Sequence, residues 1–302
     1  MCLEGSYVQC YERSGPRVCI RQIEVTSHHY RPSRSSPPAL TKSHHPDVPT
    51  VLPANLEIGA TLPRSDPRDA LIIKPSHPSR ATRIQDLPPG SIIGTSSIRR
   101  TAQIALKYPH LVVRDLRGNI DTRLRKLDDV DGVFDAIILA SAGLIRMGLE
   151  GRISQFLSGR EEDGGMLYAV GQGAIGIENR ADDEVVKGIM GRVNHLPTFL
   201  AVSAERSLLR TIEGGCSAPL GVESEWVSSG SEGEELRLRA VVVSLDGKHA
   251  VEANVSGSVK TVEDAEKLGQ EIAAQILRKG ADKILAEIKA KRPTTAADLE
   301  EK

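Results

Sequence analysis

An α/β protein ending in a small, separate α+β module is what this sequence predicts, on three observations. Between Ile92 and Leu149, apolar strand-like runs give way to helical patterns three times, and that alternation implies strands in a parallel sheet joined by crossover helices. The last third alternates at period two around an Asp246-Gly247 turn and then carries two amphipathic helical runs, the pattern of an antiparallel hairpin covered by helices. The 302 residues suffice for two or three domains with buried cores.

Residues 1 to 45 hold no sustained period and include SHHYRPSRSSPPALTKSHH, a mixture expected to be a disordered tail. From Asp47, DVPTVLPANLEIGATLPRSDPRDALII alternates short apolar runs with Pro and Gly, as irregular strands joined by turns do. Ser91-Ile92-Ile93 is β-prone, Gly94 permits a turn, and Thr95, Ser96 and Ser97 are N-cap residues before a helix with Ile98, Ala102, Ala105 and Leu106 on one face. Leu111-Val112-Val113 makes the next strand, and Arg117-Gly118-Asn119 turns into a helix bearing Arg123, Arg125 and Lys126. FDAIILASAGLIRMGL reads as a buried strand leading through Ser141-Ala142-Gly143 into a third helix.

Beyond a loop at Ser158 to Gly165, YAVGQGAIGIENR surrounds a strand from Ala174 to Glu178. Gly171-x-Gly173 is too short for a nucleotide loop and reads as a tight crossover between domains. A helix at about Thr198 to Leu209 runs into the loop Glu213-Gly214-Gly215-Cys216-Ser217-Ala218-Pro219. Leu236, Leu238 and Ala240 alternate toward the turn, and Val251, Ala253 and Val255 alternate away from it. Thr261 caps a helix with Ala265, Leu268, Ile272 and Ile276 on one face, and Gly280 breaks it before Ile284, Leu285 and Ile288.

Composition narrows the function. With 39 basic and 40 acidic residues the chain has no net field to attract nucleic acid or an anionic membrane. No apolar run approaches the about 18 residues of a membrane span, and no signal-peptide core opens the sequence, so a soluble cytoplasmic protein is expected. Cys2, Cys10, Cys19 and Cys216 do not form a disulfide framework, and His28-His29 and His44-His45 lack metal-ligand spacing. No metal is expected.

Three features carry chemistry. Arg99, Arg100, Arg117 and Arg123 stand at or near the starts of two helices that each follow a strand. Ligands of such sheets sit at the carboxyl ends of strands, and guanidinium forks take carboxylates or phosphates in bidentate fashion. Helix-start amides and the hydroxyls of Thr95, Ser96 and Ser97 favour an anion too. A solvated face paired with Asp115, Asp121 and Asp128 is the competing reading, and it suits Arg125 and Lys126. Cys216, between glycines and a Ser-Ala-Pro turn, reads as a nucleophile or attachment point, or as an inert thiol. Asp47, beside Val48-Pro49, could project into a cleft or merely bond the local backbone.

Taken in order, DVPTVLP, DPRDAL, GTSSIRR, LRGNIDTRL, FDAIILASAGL, AVGQGAIGIE and EGGCSAPLGV resemble the hydroxymethylbilane synthase, or porphobilinogen deaminase, family from Asp47 to about Lys289. The resemblance implies two periplasmic-binding-protein-like domains, the first incomplete here, plus a small α+β C-terminal domain. It divides the chain into residues 1–45 as an atypical segment, 46–72 with 166–195 as a remnant of domain 1, 73–165 as domain 2, and 196–302 as domain 3. It implies a transferase of porphyrin and heme biosynthesis, expected to be a monomer, that joins four porphobilinogen molecules with loss of ammonia into the linear tetrapyrrole hydroxymethylbilane. Cys216 would hold a dipyrromethane cofactor covalently. Arg99, Arg100, Arg117 and Arg123, with Thr95, Ser96 and Ser97, would bind its acidic side chains. Asp47 matches the family's catalytic aspartate.

The N-terminus departs from the family. Ser43-His44-His45-Pro46 stands where His-Ser-x-Lys is expected, so Pro46 replaces a lysine beside Asp47. A sheet without its first strands would expose an edge, so a poorly ordered domain 1 is expected. An inactive remnant that keeps the anion-binding domain is the second reading.

Overall fold

The structure is a computed structural model that describes residues 18–22, 48–79, 81–212, 218–228 and 234–290. Three sheets organise them. In the first, β1 (Val18–Gln22) and β2 (Leu56–Thr61) flank β8 (Ile175–Arg180), and both pair antiparallel to it. The second contains β3 (Asp69–Ile73), β4 (Ile92–Gly94), β5 (Val112–Arg114), β6 (Ala136–Ala140) and β7 (Gln155–Leu157), in the order β5-β4-β6-β3-β7. The third is an antiparallel meander of β9 (Leu220–Ser228), β10 (Glu234–Val243) and β11 (Ala250–Gly257).

The expected parallel arrangement holds for β4, β5 and β6, whereas β3 and β7 run antiparallel to their neighbours. Short apolar runs carry no direction, so sequence periodicity could not show this reversal. The domain boundary expected at 72/73 falls inside a strand, because Asp69–Ile73 pairs with Ala136–Ala140 and Asp69–Leu71 with Gln155–Leu157. The five-stranded sheet therefore begins at Asp69. The expectation of disorder through residue 45 is likewise corrected for Val18–Gln22, which pairs with β8 over Ile175–Asn179 and covers an edge that would otherwise present unpaired amides.

Helices cover the five-stranded sheet because its strands are apolar on both faces. Leu71, Ile93, Ala136 and Ile138 face one way, onto Ile104 of α1 (Ile98–Lys107). Ala70, Ile72, Ile137 and Leu139 face the other, onto Leu124 and Leu127 of α2 (Ile120–Asp128) and Leu144 of α3 (Ser141–Arg146). Successive residues of β3 and β6 thus feed opposite cores, as period-two geometry requires. A helix not foreseen, α4 (Glu184–Val193), is capped by Asp183 and packs Val186 and Met190 with Ala60 and Ile177.

At the C-terminal end, α5 (Leu196–Thr211) and α6 (Val262–Arg278) pack on the meander, with α7 (Ala281–Ala290) closing its core. The Asp246-Gly247 hairpin and the Thr261 cap form where expected, the latter as a full capping box with Asp264. Two crossovers, residues 62–68 and 167–174, link the three-stranded and five-stranded sheets. They touch where the Ser65 amide donates to the Gly173 carbonyl at 3.0 Å.

Candidate active site

The carboxyl ends of β4, β5 and β6 lie along one side of the five-stranded sheet, and Asp69 begins β3 there opposite Ala140. Past Gly94, hydroxyls shape the loop. The Ser97 amide donates to Thr95 Oγ1 at 3.2 Å, and Ser97 Oγ caps α1 by accepting from the Arg100 amide at 3.5 Å. Ser96 Oγ donates to the Leu116 carbonyl at 2.7 Å, joining this loop to the one after β5. The three hydroxyls predicted as ligands are therefore already holding the frame of the site.

In the first turn of α1, Arg99 and Arg100 are buried against Asp69. Arg99 Nη1 donates to Asp69 Oδ2 at 2.8 Å and to the Leu167 carbonyl at 2.7 Å, and its Nη2 donates to Asp69 Oδ1 and Gln172 Oε1, both at 3.3 Å. Arg100 Nη2 donates to Asp69 Oδ1 at 2.8 Å and its Nη1 to the Ile138 carbonyl at 2.9 Å. Burial pushes the Asp69 carboxyl up, but the charges of Arg100 and Arg99 outweigh it and hold the group well below the usual carboxylate range. Two guanidiniums share this one carboxylate, so the trio carries a net positive charge. Arg99 Nε is buried without a hydrogen-bond partner among the described residues.

Arg117 and Arg123 occupy the neighbouring loop in a different state. Arg117 is 73% exposed and its Nε donates to Asp115 Oδ2 at 3.0 Å. The Asp115 carboxyl is lowered by the adjacent Ser96 hydroxyl, then by Arg117 and Arg123. Arg123 Nε donates to the Gly118 carbonyl at 2.7 Å. Gly118 has φ +124°, and a Cβ there would meet Thr122 at 2.7 Å, so this turn needs glycine. Asn119 then caps α2 by accepting from the Thr122 amide at 2.8 Å.

The structure brings Thr95, Ser96, Ser97, Arg99, Arg100, Arg117 and Arg123 to one side of the sheet. Asp47 and Cys216 lie outside the described residues, but the described segments beside them both lead to α5. Arg206 of that helix donates through Nη2 to the carbonyls of Pro49 at 2.6 Å and Thr50 at 3.1 Å, and α5 itself ends at Thr211, shortly before Cys216. Asp69 and Gln172 were missed as site residues. The one available signal was a charged residue abutting the apolar run Ala70–Ile73. The donors fit an acidic organic group: a cationic trio with a guanidinium N–H unpartnered among the described residues lies behind Arg117 and Arg123 at the same strand ends.

The fold is that of an α/β protein with guanidiniums gathered at its strand ends. A family model described as "Porphobilinogen deaminase, dipyromethane cofactor binding domain" matches residues 42–188, and "Porphobilinogen deaminase, C-terminal domain" matches residues 199–278. The porphobilinogen deaminase of Neurospora crassa is 47% identical over 241 residues, covering 79% of this chain and 70% of that protein. That of Saccharomyces cerevisiae is 42% identical over 283 residues, covering 93% of this chain and 83% of its own. A Prochlorococcus marinus relative of the same name is 45% identical over 242 residues, covering 80% and 72%. The chain belongs to the porphobilinogen deaminase family.

Proposed function

We propose that this chain is a hydroxymethylbilane synthase, joining porphobilinogen units with loss of ammonia and working as a cytoplasmic monomer. The observation that carries the reading is the collection of guanidiniums at the carboxyl ends of β4 and β5: a buried pair sharing Asp69, with the exposed Arg117 and the half-buried Arg123 beyond it. When bound, the dipyrromethane cofactor supplies the pyrrole carbon from which the chain of rings is extended.

The chain's own residues do the rest. Arg117 and Arg123 meet the carboxylates of arriving ligand; the solvated head of Arg117 can exchange its surface partner for a ligand oxygen at little cost. Arg99 and Arg100 hold the positive field behind them, and Thr95, Ser96 and Ser97 keep the α1 amides directed at bound anions. Asp47, which matches the family's catalytic aspartate, would offset positive charge on pyrrole nitrogens and pass protons. Cys216 carries the cofactor by a thioether. In this reading residues 48–61 and 175–193 form the first domain, 69–165 the second, and the chain from 196 the third. No feature of the described residues favours an inactive remnant.

The deciding experiment is the intact mass of the purified protein beside its Cys216→Ser variant, with porphobilinogen consumption measured on both. A covalent dipyrromethane adduct and turnover in the parent, both lost in the variant, are expected. Bare mass and no turnover in the parent would overturn the assignment.

A further inference from the structure

Gln172 lies on the second crossover, wholly buried, and its side-chain amide is saturated. Its Nε2 donates to the Pro67 carbonyl at 2.7 Å and to Asp69 Oδ1 at 2.8 Å, while its Oε1 accepts from Arg99 Nη2 at 3.3 Å and from the Ala169 amide at 3.4 Å. Both donors and the oxygen are used, and the partners come from both crossovers and from the arginine trio. Its backbone carbonyl accepts from Arg64 Nε at 3.0 Å, and the neighbouring Gly171 amide donates to Glu205 Oε2 at 2.7 Å. One residue therefore joins the charge cluster of the five-stranded sheet to the two connections leading to the other sheet.

We infer that Gln172 is a positioning residue, which sets the orientation of Arg99 and Asp69 toward the ligand's carboxylates from the juncture between the sheets. The inference rests on the proposed arginine site. It follows from what the amide alone can do: only a group with donors on one side and an acceptor on the other satisfies Pro67, Asp69 and Arg99 together. A carboxylate in its place would set a second anion against Asp69 Oδ1 and the Pro67 carbonyl. A thioether would leave all four partners without it.

The test compares Gln172→Glu and Gln172→Met with the parent holoenzyme, reading melting temperature, intact mass for cofactor retention, and kcat and KM for porphobilinogen. Mispositioned guanidiniums weaken ligand binding, so KM is expected to rise about tenfold, with reduced adduct mass, at a kcat within about threefold of the parent. A merely structural role lowers the folded fraction instead, reducing kcat and melting temperature at unchanged KM, and that result would overturn the inference. The charged groups around position 172 are Asp69 of β3, Arg99 and Arg100 of α1, Arg64 of the first crossover and Glu205 of α5. Burial beside Asp69 raises the pKa of the introduced carboxyl, and its protonated form regains a donor. The KM of Gln172→Glu should therefore return toward the parent value as pH falls, while that of Gln172→Met should not. If Gln172→Glu does not fold, Gln172→Met is judged by the same split between KM and kcat. Arg117→Leu separates the two levels of the argument: normal KM and full adduct in that variant would remove the arginine-site reading itself, whereas an impaired Arg117→Leu beside unaffected Gln172 variants would remove only the role given to Gln172.

Discussion

Asp69 and Arg117 show how residues of one site divide between holding and binding. Asp69 is buried between two guanidiniums, and its carboxyl is held below its ordinary range because the attraction of Arg100 and Arg99 exceeds the cost of burial. A carboxyl whose pKa is lower folded than unfolded stabilises the fold above its unfolded pKa, and that contribution is lost as pH falls through the folded value. Asp69→Asn is therefore expected to cost about 3–5 kcal/mol at pH 7, where it leaves two buried cations without their anion. The difference from the parent should shrink below about pH 4. Urea unfolding at pH 7 and pH 3 checks this, and a difference independent of pH would contradict it. Arg117 is mostly solvated, and its pairing with Asp115 is a surface contact. Arg117→Leu should change stability by less than about 1 kcal/mol while lowering cofactor retention, read by urea midpoint and intact mass together.

Between elements, one close contact joins α5 to α6. A Cβ at Gly269 would lie 2.3 Å from the Ala204 carbonyl oxygen and 2.7 Å from Ser207 Cβ. In an isolated helix Gly→Ala is favourable by about 1 kcal/mol; here the added methyl must push the two helices apart. Gly269→Ala should destabilise by about 1–3 kcal/mol, as overpacking does, and a rise in melting temperature would refute the contact. Features of this local kind were largely legible in the sequence. Ser97 at the start of α1, the Asp246-Gly247 turn and the Thr261 cap all depend on residues within a few positions of one another. The reversed direction of β3, the pairing of β1 with β8 and the role of Asp69 were not. Each depends on partners far along the chain, such as Gln172 Nε2 reaching Asp69 across 103 positions, and hydrophobic periodicity is blind to partners at that separation. The position of the arginines was readable because strand-then-helix spacing forecasts which residues emerge at strand ends. That half of them would be engaged by an internal carboxylate was not.

Across the whole molecule, one ion pair ties both crossovers to α5 and to the meander. Arg64 donates through Nη1 and Nη2 to Glu205 at 2.6 and 3.1 Å, through Nη1 to Ser224 Oγ at 3.1 Å, and lies over the Tyr168 ring at 5.2 Å. Glu205 also accepts from Ser224 Oγ at 2.6 Å and from the Gly171 amide. Burial pushes the Tyr168 phenol up to about 12, so it remains a neutral donor and acceptor within this cluster. The first crossover supplies Arg64, the second supplies Tyr168 and Gly171, α5 supplies Glu205, and β9 supplies Ser224. The backbone beneath is equally close: Gly173 has φ +78°, and a Cβ there would come within 2.7 Å of the Ser65 carbonyl oxygen. Removing one partner leaves the other charge buried, a loss of about 3–5 kcal/mol. That loss falls at the joint between the meander and the two other sheets, which share two small apolar clusters, one of Ala102, Leu167, Val241 and Val243 and one of Val48, Ala174 and Val202. Glu205→Ala is therefore expected to convert a single calorimetric transition in the parent into two, with the C-terminal module unfolding apart from the five-stranded sheet. One transition, shifted down but still cooperative, would mean that the crossovers and the packing around them couple the parts without the ion pair.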